Sequence, residues 1–163
     1  MANITFKGSP VHTIGSLPRV GEKAPNFTLV NRDLSESTLN EYPNKKKILN
    51  IVPSLDTGVC ALSAKTFYEK LKSRDDVILI NISNDLPFAQ GRFCKSEDIN
   101  TITLSGFRSS FADDYGVKII DGPLAGLCSR AVILLDEQNK IIYTEQVPEI
   151  GKEPDYNKLL QNI

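Results

Sequence analysis

The residues of this 163-residue chain best suited to chemistry are three cysteines, Cys60, Cys94 and Cys128, and a single histidine, His12. Cys60 closes the segment Pro53-Ser54-Leu55-Asp56-Thr57-Gly58-Val59-Cys60, which joins an apolar run to a helical pattern. That placement puts Cys60 in or near the first turn of a helix. Unpaired backbone N–H groups and the helix dipole there favour a thiolate over a thiol. Thr57, three residues earlier, can bring its hydroxyl beside the sulfur or between sulfur and substrate, and Pro53 can shield the pocket and fix the loop. A cysteine on an apolar helix face is otherwise a small packing residue. The framing by proline and threonine tilts Cys60 from packing toward a nucleophile.

The same inventory argues against other chemistries. There is no Cys-x-x-Cys, and a zinc site would need all three cysteines plus His12 without paired spacing. A histidine-assisted hydrolase would depend on His12, whose neighbours Val11 and Thr13 suggest an alternating hairpin strand. Three widely spaced cysteines make no disulfide scaffold. The net charge is −1 with scattered basic residues, which points away from nucleic-acid and anionic-membrane partners. Lys45-Lys46-Lys47 reads as a solvated strand entrance. No apolar segment approaches the roughly 20 residues of a membrane span, and the first residues lack the layout of a secretion signal. A cytoplasmic location is the expectation, and the sequons at Asn3, Asn26 and Asn81 then carry no meaning. No metal or other cofactor is assigned.

The elements that must position Cys60 can be read from periodicity. Ile4–Phe6 and Val11–Ile14, separated by Lys7-Gly8-Ser9-Pro10, predict an N-terminal hairpin extension covering about residues 1–16. A short strand is expected at Phe27–Val30, and buried strands at Lys47–Val52 and Val77–Ile82. A helix capped by Asp56 or Thr57 lies between these two, with Leu62, Phe67 and Leu71 on its apolar stripe. A second helix near Pro87–Cys94 precedes a strand at Thr101–Leu104 and a short helix at Phe107–Tyr115. Gly116 to Gly126 reads as loop. Ala131–Leu135 and Lys140–Tyr143 form a strand pair, and Asp155–Gln161 a closing helix. The β-α-β-α-β order followed by a hairpin and helix predicts one α/β domain over 1–163, with a mixed central sheet in a thioredoxin-like layout.

The pattern Pro53-x-x-x-Thr57-x-x-Cys60 resembles the peroxidatic signature of the peroxiredoxins, and the full octapeptide is similar to that of the bacterial thiol peroxidase subfamily. The likeness extends over almost the whole chain, through the hairpin, Gly122-Pro123-Leu124-Ala125-Gly126-Leu127 and Glu153-Pro154-Asp155-Tyr156. It implies a peroxidatic Cys60, its hydroxyl partner Thr57, the pocket proline Pro53, the family arginine Arg130 and the resolving cysteine Cys94. It also implies an intramolecular Cys60–Cys94 disulfide in each cycle, thioredoxin as reductant, a homodimer, and hydroperoxide substrates with alkyl forms favoured. Cys128 departs from the pattern, which tends to have a small residue such as alanine there. An extended Ser129 would put Cys128 and Arg130 on one face, and packing is the expected role of Cys128.

A reactive thiolate alone is insufficient for fast peroxide reduction. Full ionisation of an ordinary thiol gains at most ~30-fold at neutral pH. Lowering the pKa by ~2.5 units blunts nucleophilicity by on the order of 10-fold. The rest must come from donors aimed at the peroxide oxygens, for which Arg130, the Thr57 hydroxyl and the backbone N–H groups near Val59 and Cys60 are the candidates. Two other readings use the same residues. Cys60-Ala61-Leu62-Ser63 could serve a thioredoxin-like disulfide oxidoreductase, and the cysteine pair could be the switch of a non-catalytic binding protein.

Overall fold

The mostly apolar runs become the middle of a sheet, because a strand covered on both faces has no polar side to alternate with. The buried asparagines of two of them, Asn50 and Asn81, hydrogen-bond to one another. The computed structural model describes residues 1–163. Its elements are β1 (Asn3–Phe6), β2 (Ser9–His12), β3 (Thr28–Val30), β4 (Glu36–Thr38), β5 (Lys46–Ile51), α1 (Gly58–Leu71) and β6 (Val77–Ser83). There follow α2 (Pro87–Glu97), β7 (Ile102–Ser105), α3 (Phe111–Asp114), β8 (Ala131–Leu135), β9 (Ile141–Gln146) and α4 (Tyr156–Leu160). β1 and β2 form a separate antiparallel hairpin, and the main sheet runs β4-β3-β7-β6-β5-β8-β9. β5, β6 and β7 are parallel, and the outer strands pair antiparallel. The fold is the mixed α/β, thioredoxin-like arrangement expected.

Alternation along the strands divides the core. Leu49, Ile51, Ile80, Ile82, Leu104 and Ile133 pack with Phe27, Phe111 and Tyr115 on one face. Ile48, Val132 and Leu134 meet Phe67, Leu71 and Leu159 on the other. Each fully buried aliphatic or aromatic side chain of this kind contributes on the order of 1.5–3 kcal/mol. The crossovers β5-α1-β6 and β6-α2-β7 advance across the sheet in the same direction. With a common hand they bring α1 and α2 side by side on the second face. A third cluster, Val52, Leu55, Cys60, Ala64, Phe93, Cys94 and Ile99, fills the space between them.

Several local expectations are corrected. The hairpin turn has only Lys7 and Gly8, both at positive φ as a tight two-residue turn requires, and Pro10 lies inside β2 opposite Thr5. β4 has one buried residue in three, Ser37, so no apolar pattern announces it. The short helix begins at Phe111 and not Phe107, because the Ser109 hydroxyl accepts the Phe111 N–H and stops the helix from extending backward. Lys47 is not solvated. Its stem is buried in β5 and its ammonium returns to the Lys45 carbonyl at 2.9 Å, with burial pushing its pKa down. No helix is long and apolar enough to cross a membrane.

Candidate active site

β8 runs antiparallel to β5, pairing Ala131 with Ile51, so the start of β8 lies beside the end of β5. That register brings Arg130 to the loop that follows β5, across seventy residues of sequence. Cys60 is the third residue of α1 and is 1% exposed. Arg130 is also buried, and its Nη2 donates to Cys60 Sγ at 3.1 Å. Its Nε donates to the Ile150 carbonyl at 2.8 Å, while Nη1 is buried without an acceptor. No carboxylate forms a salt bridge with this guanidinium, which leaves its charge available to negative charge on the sulfur or on an oxygen beside it.

The Ile150 carbonyl is held by the N-terminal hairpin. Thr5 donates its N–H to Pro148 and accepts the Ile150 N–H. The Glu149 carboxylate receives the Gly151 and Gly8 N–H groups and the Thr5 hydroxyl, which together hold its pKa below the usual range. The hairpin therefore fixes the carbonyl that fixes Arg130.

Thr57 occupies the N-cap position of α1, but its side chain does not cap the helix. Its hydroxyl donates to the Ser54 carbonyl at 2.9 Å. With its proton engaged there, its oxygen is left with lone pairs to offer. Asp56 does not cap α1 either; its N–H donates to Ser54 Oγ at 3.1 Å. Pro53 is buried behind this loop. Val59 and Cys60 are first-turn residues, so their N–H groups have no carbonyl four residues back inside α1. A groove of about 750 Å³ opens between the start of α1 and α2, lined by Thr57, Gly58 and Ala61 from the α1 side and Phe88, Arg92 and Phe93 from α2; Val59, Cys60 and Arg130 do not line it.

Cys94 lies in the second half of α2, in the same apolar cluster as Cys60, and all three cysteines are free thiols. Burial pushes the Cys94 thiol up, partly offset by Arg32, and its Sγ lies 3.9 Å from the Thr101 carbonyl as a weak donor. Cys128 is wholly enclosed in the core on the far side of the sheet from α1, so it does not share a face with Arg130. Burial, with a smaller push from Asp85, raises its thiol to about 12. It is a packing residue, as expected. No group of three or more His, Cys, Asp or Glu is arranged to hold a metal.

The redoxin family model matches residues 19–160. The chain is 50% identical over 160 residues to a thiol peroxidase of Leptospira interrogans, covering 96% of this chain and 94% of the relative. The chain belongs to the thiol peroxidase family. A thiol peroxidase of Mycobacterium bovis is 47% identical over 161 residues, covering 98% and 97% of the two chains. The solved structure of a peroxiredoxin-like protein from Aquifex aeolicus superposes with a TM-score of 0.93 at 37% identity, covering 99% of this chain and 95% of that one.

Within this thiol peroxidase fold Arg130 meets Cys60, Thr57 and Val59 precede that cysteine at the start of α1, Pro53 is buried, and Cys94 lies on α2 in the same apolar cluster as Cys60. Sequence reasoning missed the Ile150 carbonyl and the Glu149 clamp, which only the hairpin's docking reveals. It also missed the engagement of Ser54 by Asp85. The one available signal was an aspartate two residues before the Pro87 that opens α2.

Proposed function

We propose that this thiol peroxidase reduces hydrogen peroxide and organic hydroperoxides through Cys60. The observation that carries the reading is the buried Arg130, with Nη2 on the Cys60 sulfur and Nη1 still free to donate. The Cys60 thiolate attacks one peroxide oxygen, the O–O bond breaks, and the other oxygen leaves as water or an alcohol after taking up a proton. Cys60 becomes a sulfenic acid. Arg130 and the first-turn N–H groups stabilise charge on the departing oxygen, and the Thr57 lone pairs accept the peroxide O–H. The Cys94 thiol then displaces hydroxide from the sulfenic sulfur, giving water and a Cys60–Cys94 disulfide. Thioredoxin returns both cysteines to thiols by disulfide exchange. The chain works as one domain over 1–163, in a cytoplasmic homodimer.

The cysteines are free thiols on two separate helices, a disulfide requires Cα atoms within about 7 Å, and the proposal includes unwinding of the turns that carry them. Both turns suit this. The first turn of α1 has no side-chain cap, and Cys94 supplies the carbonyl to which the Asp98 and Ile99 N–H groups close the end of α2. Amide-exchange protection around Cys60 and Cys94 should fall on oxidation. The oxidoreductase alternative loses ground because the Ser63 hydroxyl donates to the Cys60 carbonyl at 3.0 Å, with no bond to the sulfur. A non-catalytic switch leaves the Arg130 arrangement without a purpose. The test is peptide mass spectrometry of the reduced protein after one equivalent of peroxide. A Cys60–Cys94 cross-linked peptide with loss of two hydrogens is expected. A lasting oxygen adduct on Cys60 would remove Cys94 as resolving partner, and an unreactive Cys60 would overturn the peroxidase reading.

A further inference from the structure

Asp85 stands in the connection between β6 and α2, two residues before the proline that opens the Cys94 helix. At that place an aspartate would ordinarily cap the helix. Here Leu86 is the N-cap residue and makes no side-chain bond. The Asp85 carboxylate reaches across to the Cys60 loop instead. Its Oδ1 accepts the Ser54 hydroxyl at 2.6 Å, and its Oδ2 accepts the Leu55 N–H at 2.8 Å. Oδ2 also accepts the Ser83 hydroxyl at 2.7 Å. No lysine or arginine forms a salt bridge with it.

The loop it engages has little else to hold its shape. Between the Val52 N–H, which closes onto Ile82, and the start of α1, one backbone bond remains, from the Thr57 N–H to the Ser54 carbonyl at 3.3 Å. The Asp56 N–H goes to Ser54 Oγ, which in turn donates to Asp85. The N–H groups of Leu55 and Asp56 therefore both terminate on this one carboxylate, the second through a hydroxyl. Ser54 is also the residue whose carbonyl takes the Thr57 proton. Asp85 is itself fixed from three elements. Ser83 lies at the end of β6, Gln90 of α2 donates to Ser83 Oγ at 3.0 Å, and Ser105 at the end of β7 donates to the Asp85 carbonyl.

We infer that Asp85 is a positioning residue of the peroxidase step, holding the Ser54–Thr57 loop so that the Thr57 oxygen meets the peroxide beside Cys60. The inference rests on the peroxidase reading above and adds a residue to it that touches neither sulfur nor substrate. The two carboxylate oxygens accept from the Ser54, Leu55 and Ser83 donors together. Asparagine keeps one accepting oxygen for Leu55 and Ser83, and its amide can meet Ser54 only if that hydroxyl turns round to accept. Loss of the clamp lets Ser54 turn and takes the Thr57 acceptor out of line, and a misplacement of about 1 Å in such a group is worth on the order of 100-fold.

The experiment compares two reactions of Cys60 in the full-length reduced protein. Peroxide reduction needs Thr57 in place, whereas alkylation by iodoacetamide needs only a reachable thiolate. Asp85→Asn is expected to lower the second-order rate of Cys60 oxidation by hydrogen peroxide on the order of 10–100-fold, with alkylation within about twofold of wild type. Adding Thr57→Val to Asp85→Asn should then cost much less than Thr57→Val alone costs the wild type, because the two act in series. Ser54→Ala, which removes one of the three donors and leaves the carboxylate intact, should give a smaller loss of the same kind and guards against a folding defect in the Asp85 variant. Equal loss in both reactions, an unchanged oxidation rate, or fully multiplicative losses with Thr57→Val would each overturn the role. Failure of the peroxidase reading would appear separately, as a wild-type Cys60 that peroxide does not oxidise.

Discussion

Cys60 and Cys94 belong to one apolar cluster and are about equally buried, yet their surroundings prepare them for different chemistry. Cys60 stands in a first turn with a guanidinium on its sulfur and an uncapped N-terminus around it. Cys94 stands in the second half of its helix, with no cation on its sulfur and a backbone carbonyl as its neighbour, and desolvation disfavours its thiolate. Burial alone therefore does not decide what a cysteine does. The nearby groups differ: a guanidinium N–H meets the Cys60 sulfur, whereas the Cys94 sulfur faces a backbone carbonyl and its desolvation is only partly offset by Arg32.

The comparison is broken most completely by Cys60→Ser, which should abolish peroxide consumption while Cys94 remains unoxidised by one equivalent of peroxide. Arg130→Lys should keep the fold but lose on the order of 100-fold or more in the oxidation rate, because an ammonium cannot serve Ile150, the sulfur and a substrate oxygen from one planar fork. Wild-type turnover in that variant would falsify the assigned role of Arg130. Cys94→Ser should leave the first oxidation of Cys60 within about threefold of wild type. It should also prevent the intramolecular disulfide and leave the Cys60 sulfenic acid exposed to further oxidation.

Two smaller effects sharpen the contrast through pH. Cys94 and Cys128 have thiol pKa values raised in the folded state, so the unfolded chain loses those protons first as pH rises. Their contribution to stability is full below the ordinary thiol value of 9.0 and declines above it. Urea melts of the reduced protein should show falling stability from that pH upward, and Cys128→Ala should flatten the decline. At neutral pH Cys128→Ala should cost only about 1–2 kcal/mol, the effect of a small buried void, with little change in peroxidase rate.

The reach of the sequence differed from one region to another for physical reasons. Val77–Ile82 and Ala131–Leu135 were legible because buried strands are predominantly apolar, with Asn81 the one polar residue in the two runs, and Cys60 because a proline, a threonine and a helix start frame it within eight residues. β4 was not legible, since a three-residue edge strand with one buried serine carries no periodicity. Nor was the fate of the Thr57 proton, because a threonine at an N-cap and one bonded to a carbonyl three residues back look the same in sequence.

What the sequence by itself determined was a chemical type, an activated cysteine at a strand-to-helix junction, together with the family whose pattern it matches and the α/β order that builds the sheet. Those follow from local rules of spacing and burial that act within a few residues. The tertiary structure alone decided which groups surround that cysteine. Arg130 arrives through the register of β8 on β5, its Ile150 acceptor through the docked hairpin, and the Asp85 carboxylate through the neighbouring crossover. Each of these is a contact between segments distant in the chain, and only strand pairing and packing, which no short window of sequence encodes, bring them together.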